Sequence, residues 1–188
     1  MSSLSRARHH VRVREISCPH QTISKRNSDR PDLADTFAVT LPRPVADLRA
    51  SVEAVLGTPP GWFRVLIGIR DRIVAPFGVA TSAMLRQELE TADRIDFFPV
   101  LHAGPDEVML GARDRHLDFR IAFRRVRARQ GELIAATTEV WCHNTLGRVY
   151  LALIRPAHRI VVRSMLSRMA RQNLQDGSVD SPSLRSRA

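Results

Sequence analysis

Two stretches of alternating apolar and polar residues, about 116–126 and 133–142, are separated by a short segment at 127–131 that contains a glycine. Successive side chains of a strand point to opposite faces of a sheet. Alternation over about ten residues on each side of a turn therefore predicts two long antiparallel strands joined as a hairpin. This hairpin constrains the fold more than any other feature, because one face of each strand is apolar and needs a cover.

The pairing within this hairpin follows from the same pattern. A tight turn places Arg120 opposite Glu139 and Phe119 opposite Val140. The charged pair and the apolar pair then fall on opposite faces of the sheet, whereas a slip by one residue would mix them. The sequence thus predicts the register as well as the hairpin.

Segments with other spacings flank the hairpin. Short strands are predicted at 37–41 and 95–102, and apolar residues spaced three and four apart predict amphipathic helices at 45–55 and 62–77. A last helix follows the hairpin, with Asn144 or Thr145 as its N-cap. It contains Pro156, which predicts a kink. The apolar stripe of this helix consists of Tyr150, Ile154, Ala157, Val161 and Met165.

This order of elements is typical of an α+β fold. We predict a curved antiparallel sheet whose concave face is gripped by the long C-terminal helix, with two helices after the first strand. One domain is assigned to residues 35–172. Residues 1–34 are basic and lack sustained periodicity, and residues 173–188 are rich in serine, so both are predicted to be disordered tails.

Composition limits the location and the partners of the protein. There is no apolar run long enough to cross a membrane and no apolar stretch typical of a signal peptide. Cys18 and Cys142 form neither a disulfide framework nor a metal spacing, which favours a cytoplasmic location. The net charge of +10 is suited to anionic partners. However, no aromatic residues alternate with the arginines and no nucleic-acid-binding motif appears, so specific nucleic-acid binding is not predicted.

The predicted concave face is the candidate ligand site. Small side chains stand among large ones on this face, which indicates either tight packing or volume left for a small apolar or amphipathic ligand. An aromatic residue that opens the second helix is a candidate for the mouth of the site. The candidate ligand-binding residues are Phe119, Ile121, Phe123, Ala136, Thr138, Val140, Trp62, Tyr150, Ile154 and His158.

A second group of residues has the chemistry of acid–base catalysis. His116 and Asp118 share one face of a predicted strand, and His143 ends the neighbouring strand. A carboxylate that orients an imidazole raises its basicity, so these three are candidate catalytic residues. A hydrogen-bonded cluster that fixes the end of the strand is the structural alternative. Metal binding by the three is chemically possible, but no spacing requires it, and neither metal nor cofactor is predicted.

Asn144 and Arg148 are candidates for binding an anion. They lie at the start of the last helix, where free backbone N–H groups and the helix dipole favour negative charge. Capping of the helix by Asn144 is the simpler interpretation of the same residue.

Three segments carry a family resemblance: RHLDFR at 115–120, HNTLGRVY at 143–150 and IRPAHR at 154–159. They resemble an uncharacterised bacterial family of unknown function over about residues 35–171. The resemblance implies relatives that stand alone or are fused behind short-chain-dehydrogenase-like NAD-binding domains. More remotely, the element order resembles the helix-grip fold of START and polyketide-cyclase-like proteins, which implies the enclosure of an apolar ligand.

Three functions follow as hypotheses. The first is a module that binds a small, largely apolar ligand between the sheet and the last helix, for which we expect a cavity larger than about 200 Å³. The second is an enzyme of cyclase, isomerase or hydrolase type that uses a His/Asp pair. The third is a basic interaction protein that binds polyanions or touches anionic lipid. The identity of the ligand and the oligomeric state are left open.

Overall fold

A seven-stranded antiparallel sheet organises the residues that this computed structural model describes, which are 11–16, 30–74, 93–128 and 131–179. Every neighbouring pair of strands is antiparallel. The strands are β1 (Val13–Ile16), β2 (Leu33–Leu41), β3 (Arg94–Ile95), β4 (Phe98–Ala103), β5 (Glu107–Arg113), β6 (Leu117–Ala128) and β7 (Gly131–Cys142).

The strands lie in the order β1-β2-β7-β6-β5-β4-β3. Three helices are described: α1 (Leu48–Leu56), α2 (Gly61–Val74) and α3 (Thr145–Val179). The long helix α3 packs mainly on β2 and β7, and it also contacts α1 and α2. The predicted α+β fold, with a curved antiparallel sheet and a long C-terminal helix packed on it, is confirmed.

The central hairpin has the predicted register. Arg120 lies opposite Glu139, and Phe119 lies opposite Val140. The turn closes at Gly131, whose φ of +124° is rarely adopted by residues with a side chain. A Cβ at this position would lie 2.3 Å from the Leu41 carbonyl oxygen, so the tight approach of β2 also requires glycine.

Some elements differ from the prediction. Residues 13–16 form β1 on the edge of β2, so the prediction of a disordered tail is wrong for this segment. Helix α3 continues to Val179, past the predicted domain limit at 172, and Asn173 in its last turns donates a hydrogen bond to the Arg43 carbonyl. The single strand predicted at 95–102 is a hairpin of β3 and β4 that turns at Asp96, which has φ 55°. Aspartate tolerates this conformation better than most residues.

The buried apolar residues between sheet and helices fall into two clusters. The larger one joins α1 and the distal part of α3 to β2, β5 and β7, with Phe37, Leu110 and Leu166 almost completely buried. The smaller one lies near the start of α3 and includes Leu117 and Leu151. The two clusters lie under the same long helix but do not merge, which leaves the space described below.

The start of α3 lies unusually close to the sheet, and this gives a first prediction. A Cβ at Gly147 would lie 2.2 Å from the His116 carbonyl oxygen. This oxygen belongs to the backbone, so it can move away only if the chain around His116 is distorted. Gly147→Ala should therefore lower the free energy of unfolding by about 1–3 kcal/mol. The measurement is urea denaturation followed by circular dichroism.

Gly68→Ala is the matched control for this substitution. Gly68 also lies in a helix, but nothing stands within 4 Å of its added Cβ. Alanine has the higher helix propensity, so Gly68→Ala should stabilise the protein by up to about 1 kcal/mol. Equal effects of the two substitutions would show that α3 does not approach the His116 backbone this closely.

Candidate functional site

A cavity of about 260 Å³ lies between the concave face of the sheet and α3. The sheet contributes its wall from β5, β6 and β7, and the opposite wall comes from one side of α3. Helices α1 and α2 and the β3–β4 hairpin also contribute residues to the wall, among them Phe97 and Phe98 of the hairpin. All five residues of the predicted apolar stripe of α3 lie on the wall: Tyr150, Ile154, Ala157, Val161 and Met165.

The wall includes most residues predicted to hold a ligand. Trp62 is the exception, since it is 41% exposed and does not line the cavity. Successive residues of a helix point about 100° apart, so its neighbour Phe63 takes the wall position instead. The predicted residues that lie on the wall are Phe119, Ile121, Phe123, Ala136, Thr138, Val140, Tyr150, Ile154 and His158.

Small side chains explain why this space is not filled. Ala112 of β5, Ala136 of β7 and Ala157 of α3 all face the cavity. Protein interiors normally pack closely, so a gap of this size means that the large side chains around it do not reach across. The cavity thus separates the two apolar clusters, and each contributes to its wall.

Thr138 places a hydroxyl group in this apolar surrounding. The residue is 4% exposed and lines the cavity, and its Oγ1 has no hydrogen-bond partner among the described residues. A buried hydroxyl without a partner costs about 1–3 kcal/mol. Thr138 therefore marks a point on the wall where a bound polar atom would be stabilising.

A His–Asp pair lies beside Thr138. His158 Nε2 is 3.2 Å from Asp35 Oδ1, and the two side chains are 17% and 10% exposed. Asp35 is the register partner of Thr138 on the neighbouring strand β2. A carboxylate held this way orients the imidazole, which can then donate or accept a proton.

Sequence reasoning predicted His158 for the site but missed Asp35, which it treated as the boundary of the domain. The alternation of Asp35, Phe37 and Val39 along β2 was the available signal, because it places the aspartate on the same face as buried apolar residues.

The predicted catalytic residues are only partly brought together, and they lie outside the cavity. His143 Nε2 is 3.0 Å from Asp118 Oδ1, as their positions on neighbouring strands predicted. Asp118, however, alternates with Leu117 and Phe119, which face the cavity, so its side chain lies on the opposite face of the sheet. His143 is exposed.

His116 connects the start of β6 to the start of α3. Its Nε2 accepts a hydrogen bond from Arg115 Nε at 2.9 Å, and its Nδ1 is 3.0 Å from Asn144 Nδ2. Its carbonyl accepts a hydrogen bond from the His143 N–H at 2.9 Å. These contacts correspond to the structural alternative, in which the cluster fixes the strand end and the helix start.

The predicted anion site is occupied by groups of the chain itself. Asn144 Oδ1 accepts a hydrogen bond from the Gly147 N–H at 3.0 Å, which confirms Asn144 as the N-cap. Arg148 Nε lies 3.6 Å from Asp32 Oδ1, and Asp32 Oδ2 accepts a hydrogen bond from the Cys142 N–H. The Asp32 carboxylate thus stands where an external anion was expected.

Cys142 is not suited to act as a nucleophile here. Burial raises the pKa of its thiol, and the nearby Asp32 carboxylate raises this pKa further. The thiol therefore stays protonated at neutral pH, and the reactive form of cysteine is the thiolate.

The arginines at the tip of the central hairpin and along α3 form the basic exterior that the third hypothesis requires, and several of them have acidic partners. Arg124 pairs with Glu107 and Arg125 with Asp106, each at 2.8 Å. Arg159 and Arg163 both contact Glu15 of β1. The Arg127 side chain and Arg129 lie outside the described residues. The four paired arginines are engaged within the chain, but the net charge of +10 already counts their acidic partners and is unchanged.

Two absences hold for the described ranges, which are 11–16, 30–74, 93–128 and 131–179. No group of three side chains that could hold a metal ion occurs within them. None of their helices combines the length and the hydropathy needed to cross a membrane.

Comparison with known proteins gives a family but no characterised relative. No curated protein and no solved structure matches the chain. One family model matches residues 28–165, which is more than half of the chain and includes every residue on the cavity wall as well as Asp35. The chain therefore belongs to the family described as protein of unknown function (DUF2867).

Proposed function

We propose that this protein is a binding module for a small apolar or amphipathic ligand held between the sheet and α3. The observation that carries the proposal is the cavity of about 260 Å³, whose wall is mostly apolar but contains the buried Thr138 hydroxyl. Ligand sites are typically apolar hollows with a few polar groups that orient the ligand. The remote resemblance to helix-grip proteins, which enclose apolar ligands, supports the same function.

The volume sets the size of the ligand. A dry apolar cavity of about 150 Å³ holds benzene, so scaling by volume suggests about ten non-hydrogen atoms for this one. That is the size of a two-ring compound such as naphthalene or 2-naphthol. Ligand sites more often measure about 300–1,000 Å³, so a small ligand is expected.

Filling the cavity should abolish binding. Ala157→Phe adds a ring on the wall formed by α3, so the dissociation constant for 2-naphthol, measured by titration calorimetry, should rise by at least about tenfold. Mass spectrometry of the native protein would identify any compound that copurifies with it.

Ala152→Phe is the matched control, since it places the same ring on the same helix at an exposed position. It should leave the affinity for 2-naphthol unchanged. Weak, equal binding of 2-naphthol to the wild type and both variants would mean that the cavity is not a ligand site.

A further inference from the structure

We infer that the ligand of this cavity is an uncharged compound with one hydrogen-bonding oxygen, a hydroxyl or carbonyl group, that is held at Thr138. This ligand class rests on the proposed function and specifies it. Three observations carry it: the Thr138 hydroxyl without a partner among the described residues, the adjacent Asp35–His158 pair, of which His158 lines the cavity, and the mostly apolar remaining wall, in which Arg113 and Asp114 are the charged residues.

The Thr138 hydroxyl determines the kind of atom that is bound. Buried polar groups are nearly always hydrogen-bonded in folded proteins, and Thr138 Oγ1 is buried on the cavity wall without a partner among the described residues. A hydroxyl group donates one hydrogen bond and accepts others, so it can serve either a ligand hydroxyl or a ligand carbonyl. The apolar wall around it accommodates the hydrocarbon part.

The Asp35–His158 pair determines the charge that the ligand can carry. Asp35 stands opposite Thr138 in the β2–β7 register, so the two side chains share a face of the sheet, and the Asp35 partner His158 lines the cavity. While Asp35 is ionised, the pair has a net charge of −1 or 0, depending on whether His158 is protonated. In neither state does it offer the positive charge that a ligand carboxylate would need. The Arg113 side chain also lines the cavity, but it is 78% exposed and its Nε already lies 3.8 Å from Asp118 Oδ2. A carboxylate buried without such compensation is strongly disfavoured.

A comparison of three naphthalene derivatives with the full chain tests this inference. Naphthalene, 2-naphthol and 2-naphthoate share one ring system and differ in the polar group. We expect 2-naphthol to bind about tenfold more tightly than naphthalene, as one net hydrogen bond predicts. We expect 2-naphthoate to bind more weakly than either.

Two substitutions of Thr138 assign the preference to its hydroxyl. Thr138→Val replaces the hydroxyl by a methyl group of similar size, so the ratio of the naphthalene and 2-naphthol dissociation constants should fall from about ten to about one. Thr138→Ser keeps the hydroxyl and should keep the preference. Thermal denaturation of both variants establishes that they are folded.

The possible results separate the two claims. If naphthalene and 2-naphthol bind the wild type equally, or if Thr138→Val keeps the preference, the assigned ligand class is wrong while the cavity remains a binding site. If 2-naphthoate binds most tightly, the argument from charge is wrong. If none of the three compounds binds, the proposed function fails and the ligand class fails with it.

Discussion

Glu132→Ala should lower the free energy of unfolding by about 2–4 kcal/mol, because it leaves the buried Val45 N–H group without an acceptor and removes the most deeply buried carboxylate beside Arg125. The Glu132 side chain is 3% exposed, and its Oε1 is 3.8 Å from Nε of Arg125, which is 11% exposed. Its Oε2 accepts a hydrogen bond from the Val45 N–H at 2.8 Å. Alanine would leave this N–H group buried without its partner, while Arg125 would keep, among the described residues, only the exposed Asp106 carboxylate and the Val45 carbonyl.

The neighbouring pair of Arg124 and Glu107 provides the control. Its atoms are closer, at 2.8 Å, but the side chains are 34% and 26% exposed. Solvent weakens such a pair, so Glu107→Ala should cost about 0–1 kcal/mol. Urea denaturation of the two variants measures the difference. If Glu132→Ala and Glu107→Ala lower the free energy of unfolding by similar amounts, the Glu132 side chain is accessible to water in solution.

The position of Glu132 also concerns the cavity. Arg125 donates a hydrogen bond to the Val45 carbonyl at 2.8 Å, so this pair ties the tip of the β6–β7 hairpin to the segment before α1. The last residue of α1, Leu56, lies on the cavity wall. Loss of the Glu132 pair should therefore loosen one end of the cavity as well as the fold.

The central hairpin was predictable from the sequence down to its register. Alternation of side chains has a period of two, so a shift by one residue would have moved Phe119 and Val140 to the face of Arg120 and Glu139. The stripe of α3 was predictable for a similar reason, since its spacing selects one side of a helix. Because both elements form the cavity wall, most of the wall could be predicted as well.

Other elements left no such periodic signal. Strand β1 has four residues of mixed character, and only its pairing with β2 shows that it is a strand. The segment 95–102 was predicted as one strand although it contains a turn at Asp96, because a single aspartate among mostly apolar residues also fits one strand. Trp62 was predicted from its position at the start of α2, whereas the angle between successive helix residues places its neighbour Phe63 on the cavity wall.

The polar part of the site depends on contacts over a long distance in sequence. Asp35 and His158 are 123 positions apart, and no local pattern connects them. In contrast, the hairpin correctly predicted that His143 and Asp118 lie close together. They were proposed as catalytic residues, but neither of them lines the cavity. The phase of the strand already excluded them from the cavity, since Asp118 alternates with Phe119.

His158→Leu should also destabilise the fold by about 3–5 kcal/mol, because it leaves the Asp35 carboxylate buried without its partner. Asp35→Leu should cost less, about 1–3 kcal/mol, because it leaves only a buried imidazole, which can remain uncharged. The asymmetry follows from chemistry, since histidine can lose its charge at neutral pH whereas an aspartate strongly favours the ionised form. Chemical denaturation of the two single variants measures the difference.

The double variant Asp35→Leu/His158→Leu completes the cycle. Replacing both members of a buried pair by apolar residues is often neutral or stabilising, so the double variant should be more stable than His158→Leu alone. A double variant less stable than either single variant would contradict this and would make the pair a requirement of the fold.

A stable double variant would separate the role of this pair in the fold from its role in the cavity. Two leucines would then satisfy the packing between β2 and α3 at least as well as the aspartate and the histidine do. What the pair alone provides is a polar surface beside the Thr138 hydroxyl. The stable double variant should therefore bind 2-naphthol with a reduced preference over naphthalene, and an unchanged preference would show that Thr138 alone selects the ligand oxygen.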